Sequence, residues 1–105
     1  MRQSLENIEK RRVRDRQEVI ELTQKLVQIP SVYRPGIEGG NEEKVALFVA
    51  DYLTKLGIEV HVEEVEPGRP NVIGIIDSGK PGPTLLFEGH TDVVTEGDIE
   101  AWEYD

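Results

Sequence analysis

The chain contains no cysteine among its 105 residues, which rules out a disulfide framework and a thiolate metal site. Any bound metal ion must therefore be held by imidazole and carboxylate groups. No apolar stretch approaches the roughly 18 residues that a membrane-spanning helix requires. The first ten residues also lack the apolar centre of a secretory signal. We therefore expect a cytoplasmic protein with no membrane partner.

Basic residues are also scarce, since 12 Lys and Arg stand against 21 Asp and Glu, for a formal net charge of -9 at pH 7. Nucleic-acid binding needs a basic surface, so we expect no nucleic-acid partner. Residues 1–18 are the exception, because they hold six basic and four acidic side chains. Such interleaving is typical of an exposed helix with charge pairs. We divide the chain into this charged helical extension, residues 1–18, and one further unit, residues 19–105.

Apolar residues at helical spacing predict two helices. The first covers residues 18–29 with one face packed on a neighbour, and Pro30 ends it. A loop rich in Gly and Pro follows over residues 31–40. The second helix begins after Asn41, which can cap it, and stops at Gly57. We expect its buried face to contain Val45, Phe48, Val49, Tyr52, Leu53 and Leu56.

Three apolar stretches predict strands. Residues 58–63 alternate between apolar and polar side chains, as in a strand near a sheet edge with one wet face. Residues 72–76 and 85–87 are apolar almost throughout, as in central strands covered on both faces. The connection over residues 77–83 is too short for a parallel crossover, so the two central strands should be antiparallel neighbours. The predicted fold class is α/β, with two N-terminal helices and a mixed sheet.

His90 and Asp92 come directly after the last predicted strand, at the end of a sheet where ligand sites cluster. In extended chain the two side chains project to the same side. A metal ion binds neutral imidazole through one nitrogen, and an acceptor on the other N–H orients the ring. On these positions alone a second interpretation stays open, in which His90 merely ends a strand and Asp92 caps a turn. Motifs as short as this one often match by chance.

Six segments of the chain occur in an order and spacing that resemble one known family: 26–32, 42–57, 71–74, 89–94, 97–98 and Trp102. The sequence is similar to the metal-dependent deacylases and exopeptidases that include acetylornithine deacetylase, succinyl-diaminopimelate desuccinylase, aminoacylase and glutamate carboxypeptidase. The resemblance implies the first portion of a zinc-exopeptidase-like α/β catalytic domain. Within it, His90 would be a metal ligand and Asp92 an active-site acid.

The resemblance further implies a two-metal hydrolase, with Zn²⁺ or alternatively Co²⁺, that cleaves the amide bond of N-acyl amino acids or peptides. The remaining ligands and the glutamate base are expected beyond Asp105. We therefore expect residues 19–105 to be the truncated N-terminal part of a catalytic domain, inactive alone, in a protein whose full length is compatible with a homodimer. The alternative is a stand-alone binding or assembly module that uses its charged helix as a contact surface.

Overall fold

The computed structural model describes residues 2–104, which form two helices, a β-hairpin and a short 3-10 turn. This confirms the α/β class. None of the described helices is long and apolar enough to cross a membrane. The elements are α1 (Arg2–Gln28), α2 (Glu43–Lys55), β1 (Glu59–Glu66), β2 (Arg69–Ile75) and the 3-10 turn (Ile99–Ala101).

Helix α1 joins the charged extension to the predicted first helix without a break. It ends two residues before Pro30, as expected, because proline cannot continue the hydrogen-bond ladder. Residues 4–21 are all exposed, and only its last turns, at Leu22 and Leu26, are half-buried. The predicted packing of one face is therefore limited to the end of the helix. The division of the chain at residue 18 stays a prediction.

Helix α2 ends as the sequence predicts, and its N-cap is Glu42, one residue after the predicted cap Asn41. At its start, the Asn41 side-chain oxygen accepts a hydrogen bond of 3.1 Å from the amide of Glu43. At its end, Gly57 has φ +80°, and the amide of Ile58 donates to the carbonyl of Leu53 at 3.1 Å. A glycine with positive φ and a 6→1 hydrogen bond between backbone groups together define a Schellman motif, which gives a partner to one of the last carbonyls of the helix.

A small core lies where α2 packs on both strands of the hairpin. Val45, Ala46 and Ala50 of α2 are its buried apolar side chains, at 5%, 0% and 9% exposure. Their small size lets the helix approach closely, and a Cβ on Gly74 would lie 3.2 Å from a leucine methyl of α2. Leu56 was wrongly assigned to this face, since it follows the last helical residue and is 61% exposed.

The sheet is a two-stranded antiparallel hairpin, in which Val62 of β1 faces Val72 of β2. The predicted mixed sheet is wrong for residues 2–104, where parallel pairing is limited to an isolated bridge between Val32 and Val93. The predicted covering of β2 on both faces is also wrong. Ile73 and Ile75 are 40% and 44% exposed, because α2 covers only one side of the hairpin.

Residues 85–87 do not form the predicted central strand. Their side chains are 77–87% exposed, and the partner of β2 is β1 instead. Apolar content alone does not make a strand, because each backbone N–H and C=O needs a partner on a neighbouring strand. The hairpin turn supplies that neighbour to β2 locally, whereas residues 85–87 have none within the described chain.

Candidate active site

The segment that carries the predicted site is tied to the residues that follow α1. The amide of Val93 donates to the carbonyl of Ser31 at 3.3 Å, beside the bridge to Val32. Ser31 is only 6% exposed, so this contact is protected from water. Arg34 and Glu96 add an ion pair of 3.5 Å on the same side. The backbone just before Val93 is thereby held beside the end of the first helix.

His90 and Asp92 lie in contact within this segment. The ring Nδ1 of His90 is 2.8 Å from the Asp92 carbonyl oxygen and 3.3 Å from its carboxylate Oδ1. A neutral ring that donates from Nδ1 has Nε2 as its free lone pair, the arrangement that suits a metal ligand. The nearer acceptor is the carbonyl and not the carboxylate. The side chains are 82% and 51% exposed, so Nε2 is open to solvent.

The described chain supplies few other metal ligands. Among residues 2–104, no group of three or more His, Asp or Glu side chains could hold a metal ion. The second histidine, His61, lies on the wet side of β1 with Nε2 at 3.0 Å from Glu59 Oε1. Catalytic zinc sites usually have three protein ligands. The donor set at His90 therefore fits one ligand of a metal site, and not a complete site.

A cleft of about 750 Å³ lies between the helix–hairpin unit and residues 86–92. Its volume is in the range of small-molecule sites. One wall is mostly apolar and the second carries His90 and Asp92, while Glu42, Glu66, Arg69 and Glu88 add charge to the lining. The lining residues are Glu42, Val49, Val65, Glu66, Arg69, Pro70, Asn71, Val72, Ile73 and Leu86 to Asp92.

An ion pair between the buried Glu42 and the half-buried Arg69 joins the start of α2 to the hairpin turn at this cleft. Glu42 is 4% exposed, and Arg69 binds it through two nitrogens, Nε to Oε2 at 3.0 Å and Nη2 to Oε1 at 2.8 Å. The guanidinium carbon also lies 3.6 Å from the centre of the Tyr33 ring, a cation–π contact. Three separate parts of the chain therefore meet at Arg69.

The hydrogen bonds from Arg69 lower the pKa of Glu42 below its ordinary value of 4.5, although burial opposes them. The same contacts raise the pKa of Arg69. A carboxyl whose pKa is lower in the folded state contributes stability above its unfolded pKa. The contribution of Glu42 is therefore present above about pH 4.5 and is lost as the pH falls through its folded value.

The sequence did not reveal this ion pair. Glu42 lies at the start of α2, where an acidic side chain is favourable for the helix alone, but its carboxylate is bound by Arg69. The partners are 27 positions apart and match no local pattern.

Comparison with known proteins finds relatives that are named as deacylases. The chain is 40% identical to succinyl-diaminopimelate desuccinylase of Methylorubrum extorquens, over 79% of this chain and 20% of the relative. It is 40% identical to acetylornithine deacetylase of Vibrio cholerae, over 62% and 16%. The third is N-formyl-4-amino-5-aminomethyl-2-methylpyrimidine deformylase of Bacillus subtilis, 29% identical over 100% and 24%. The chain is a homologue of this deacylase family. The predicted resemblance is thereby confirmed.

The chain spans about a fifth of the length of these relatives. No family model matches it. No solved structure matches it either. The relatives carry names of hydrolases that act on amide bonds, and these names agree with the resemblance to metal-dependent amidohydrolases.

Proposed function

We propose that this chain contributes one metal ligand and one wall of the active site in a hydrolase that cleaves the amide bond of an N-acyl amino acid or related small molecule. The carrying observation is the His90–Asp92 contact in a chain homologous to desuccinylases and deacetylases. The proposed metal is zinc, with cobalt as the alternative. Residues outside 2–104 would supply the general base and the other ligands.

The residues have separate roles in this proposal. His90 binds the metal through Nε2, because Nδ1 is engaged with Asp92. Asp92 holds the ring in one direction through its carbonyl, and its carboxylate raises the basicity of the imidazole. A bound zinc ion would polarise the scissile carbonyl and activate water. The apolar wall of the cleft, formed by Val49, Val72 and Ile73, would take the carbon chain of the substrate.

The two histidines allow a direct test in the 105-residue chain by NMR, because each gives separate ring signals. During titration with Co²⁺, we expect the His90 signals to broaden at a lower concentration than those of His61. Asp92→Ala removes the carboxylate but keeps the backbone carbonyl. It should weaken the His90 response about 10–100-fold if the carboxylate tunes the ring.

The matched control is His61→Ala, which should leave the His90 response unchanged, since His61 lies on the separate strand β1. Broadening of His61 first, or of both rings together, would contradict the role of His90. An unchanged response in Asp92→Ala would reject only the carboxylate part. The chain alone should not hydrolyse N-acetyl or N-succinyl amino acids with added zinc, and turnover that disappears in His90→Ala would reject the incomplete site.

The second candidate function is a non-catalytic binding or assembly module. The exposure of residues 4–21 on α1 favours it, since this helix offers a long surface that the hairpin unit does not cover. Gel filtration with circular dichroism separates the two functions. A cooperatively folded chain with no selective Co²⁺ response at His90 would favour the module.

A further inference from the structure

The exposed part of α1 carries an apolar seam with the seven-residue repeat of a coiled coil. Its members alternate three and four residues apart, so they lie along one line of the helix surface. Leu5, Ile8 and Val19 are 61%, 54% and 63% exposed, so the first three turns and the middle of the seam have no cover among the described residues. The seam consists of Leu5, Ile8, Arg12, Asp15, Val19, Leu22 and Leu26.

Two charged residues, Arg12 and Asp15, interrupt the seam at its centre. Both are exposed, with side chains at 76% and 58%. Within the chain Arg12 is 3.8 Å from Glu9, and Asp15 is 3.9 Å from Arg14. Exposed pairs at such distances contribute little stability and separate easily. Arg12 and Asp15 are therefore free to take new partners.

We propose that α1 pairs with α1 of a second copy of this chain, in antiparallel orientation, about a centre between residues 13 and 14. In this register Arg12 faces Asp15 of the second copy, and the same pair repeats by symmetry. Apolar layers lie on both sides, Leu5 against Leu22 and Ile8 against Val19. Within residues 5–22, each charge in the seam meets an opposite charge, and each apolar residue meets an apolar one.

The residues that flank the seam select the same orientation. In the antiparallel register Glu9 faces Arg16 of the second copy, and Arg11 faces Glu18. In a parallel pair, by contrast, Arg12 would face Arg12, Asp15 would face Asp15, and Arg11 would approach Arg16. Flanking charges set partner and orientation in coiled coils, and like charges across an interface exclude the wrong arrangement. The charge pattern therefore favours the antiparallel pair.

Leu22 and Leu26, at the end of the seam, are half-buried within the chain, and Leu22 keeps part of its surface for Leu5 of the second copy. The paired residues 5–22 cover about 26 Å of helix at 1.5 Å per residue. In this register residue 25 lies level with residue 2 of the second copy, so the chain that follows Gln28 begins beyond the end of the partner helix. The two hairpin units would therefore lie at opposite ends of the helix pair.

Disulfide trapping tests the register, because the chain has no cysteine of its own. A mixture of the Leu5→Cys and Leu22→Cys chains should form a mixed disulfide dimer. Each variant alone should form none, since its cysteines would lie about 26 Å apart along the pair, beyond the reach of a disulfide. Cross-linking of Leu5→Cys with itself would indicate a parallel pair and overturn the proposal, as would the absence of the mixed product.

Sedimentation equilibrium of the full chain gives a second measurement that does not depend on cysteine. Ile8→Glu should raise the dimer Kd about tenfold or more. Its matched control is Val13→Glu, on a site that is also exposed, at 64% against 54% for Ile8, but outside the seam, and this change should leave Kd within about twofold. Circular dichroism confirms that both variants keep α1. Equal effects of the two substitutions would overturn the proposal.

Charge exchange at the centre completes the test. Arg12→Asp should weaken the dimer about tenfold or more, because the introduced carboxylate would face Asp15 of the second copy in two symmetric layers. The double variant Arg12→Asp/Asp15→Arg restores opposite charges across the antiparallel pair and should recover the dimer. A double variant that stays as weak as the single one would contradict the register.

Discussion

Residues 42–75 and residues 76–104 contain similar apolar runs but differ in what those runs do. Val72 to Ile75 belong to a paired strand under α2. Leu85 to Phe87 lie in irregular chain and are 77–87% exposed. The difference is the neighbour, since β1 lies next to β2 in sequence and a two-residue turn joins them. Apolar residues favour a β-strand, but the strand forms only where a neighbouring strand can pair with its backbone N–H and C=O groups.

The turn at Pro67 and Gly68 is what makes the first region locally complete. Gly68 has φ +76°, a conformation that disfavours side chains with a Cβ, and its amide donates to Glu64 Oε1 at 2.8 Å. The following residue, Arg69, then reaches back to Glu42 at the start of α2. Hairpin and helix are therefore joined through one residue, and residues 76–104 have no equivalent tie to the hairpin.

Among the substitutions that compare the two regions, Arg69→Met should have the largest effect on stability. It removes the guanidinium from Tyr33 and leaves the 4% exposed Glu42 charge without its partner. Removing the partner of a buried charge is strongly destabilising, because the remaining carboxylate must then be desolvated alone. In urea unfolding we expect a loss of stability well above the about 1 kcal/mol that an exposed ion pair contributes.

The control for this substitution is Lys55→Met, which breaks the exposed pair of Lys55 and Asp51 at 2.8 Å. It should change the free energy of unfolding by about 0.5 kcal/mol or less. The double variant Glu42→Gln/Arg69→Met should recover part of the loss, since no charge stays buried. Equal effects of Arg69→Met and Lys55→Met would show that the ion pair does not hold the two elements together.

The sequence predicted the parts of the fold that depend on neighbouring residues. Pro30 and Gly57 gave correct helix ends, because proline lacks the N–H that continues a helix and glycine readily adopts the left-handed conformation that ends one. The predicted strand at residues 85–87 was wrong, because strand pairing is a property of two segments. The proximity of His90 to Asp92 was predictable for the same local reason, since they are two residues apart, but the carbonyl of Asp92 as the nearer acceptor was not predicted. The metal role of His90 stays a prediction.

The next largest effect on stability is expected when one apolar side chain from each region is replaced by alanine. Val45→Ala removes two methyl groups from a 5% exposed site and should destabilise by about 2 kcal/mol. Phe87→Ala removes far more apolar surface, but at 87% exposure it should change stability by about 0.5 kcal/mol or less. Urea unfolding of both variants measures the difference. A loss at Phe87 comparable to that at Val45 would place residues 85–87 in the folded core.

The smallest expected effect uses two glycines with almost the same backbone conformation. Gly57 has φ +80° at the end of α2, and Gly79 has φ +71° in the chain after β2. Neither would place a new Cβ within 4 Å of another group. Alanine in this left-handed conformation costs about 1 kcal/mol. The two Gly→Ala substitutions therefore introduce the same backbone strain into two different regions of the chain.

Gly57→Ala should lower the free energy of unfolding by about that 1 kcal/mol, because the Schellman motif unfolds together with the core. Gly79→Ala should lower it by less than about 0.3 kcal/mol, since a segment outside the cooperative unit can relieve the strain by local rearrangement. Equal losses would mean that residues 76–104 unfold with the hairpin. In that case the second region is part of the same cooperative unit despite its lack of strands.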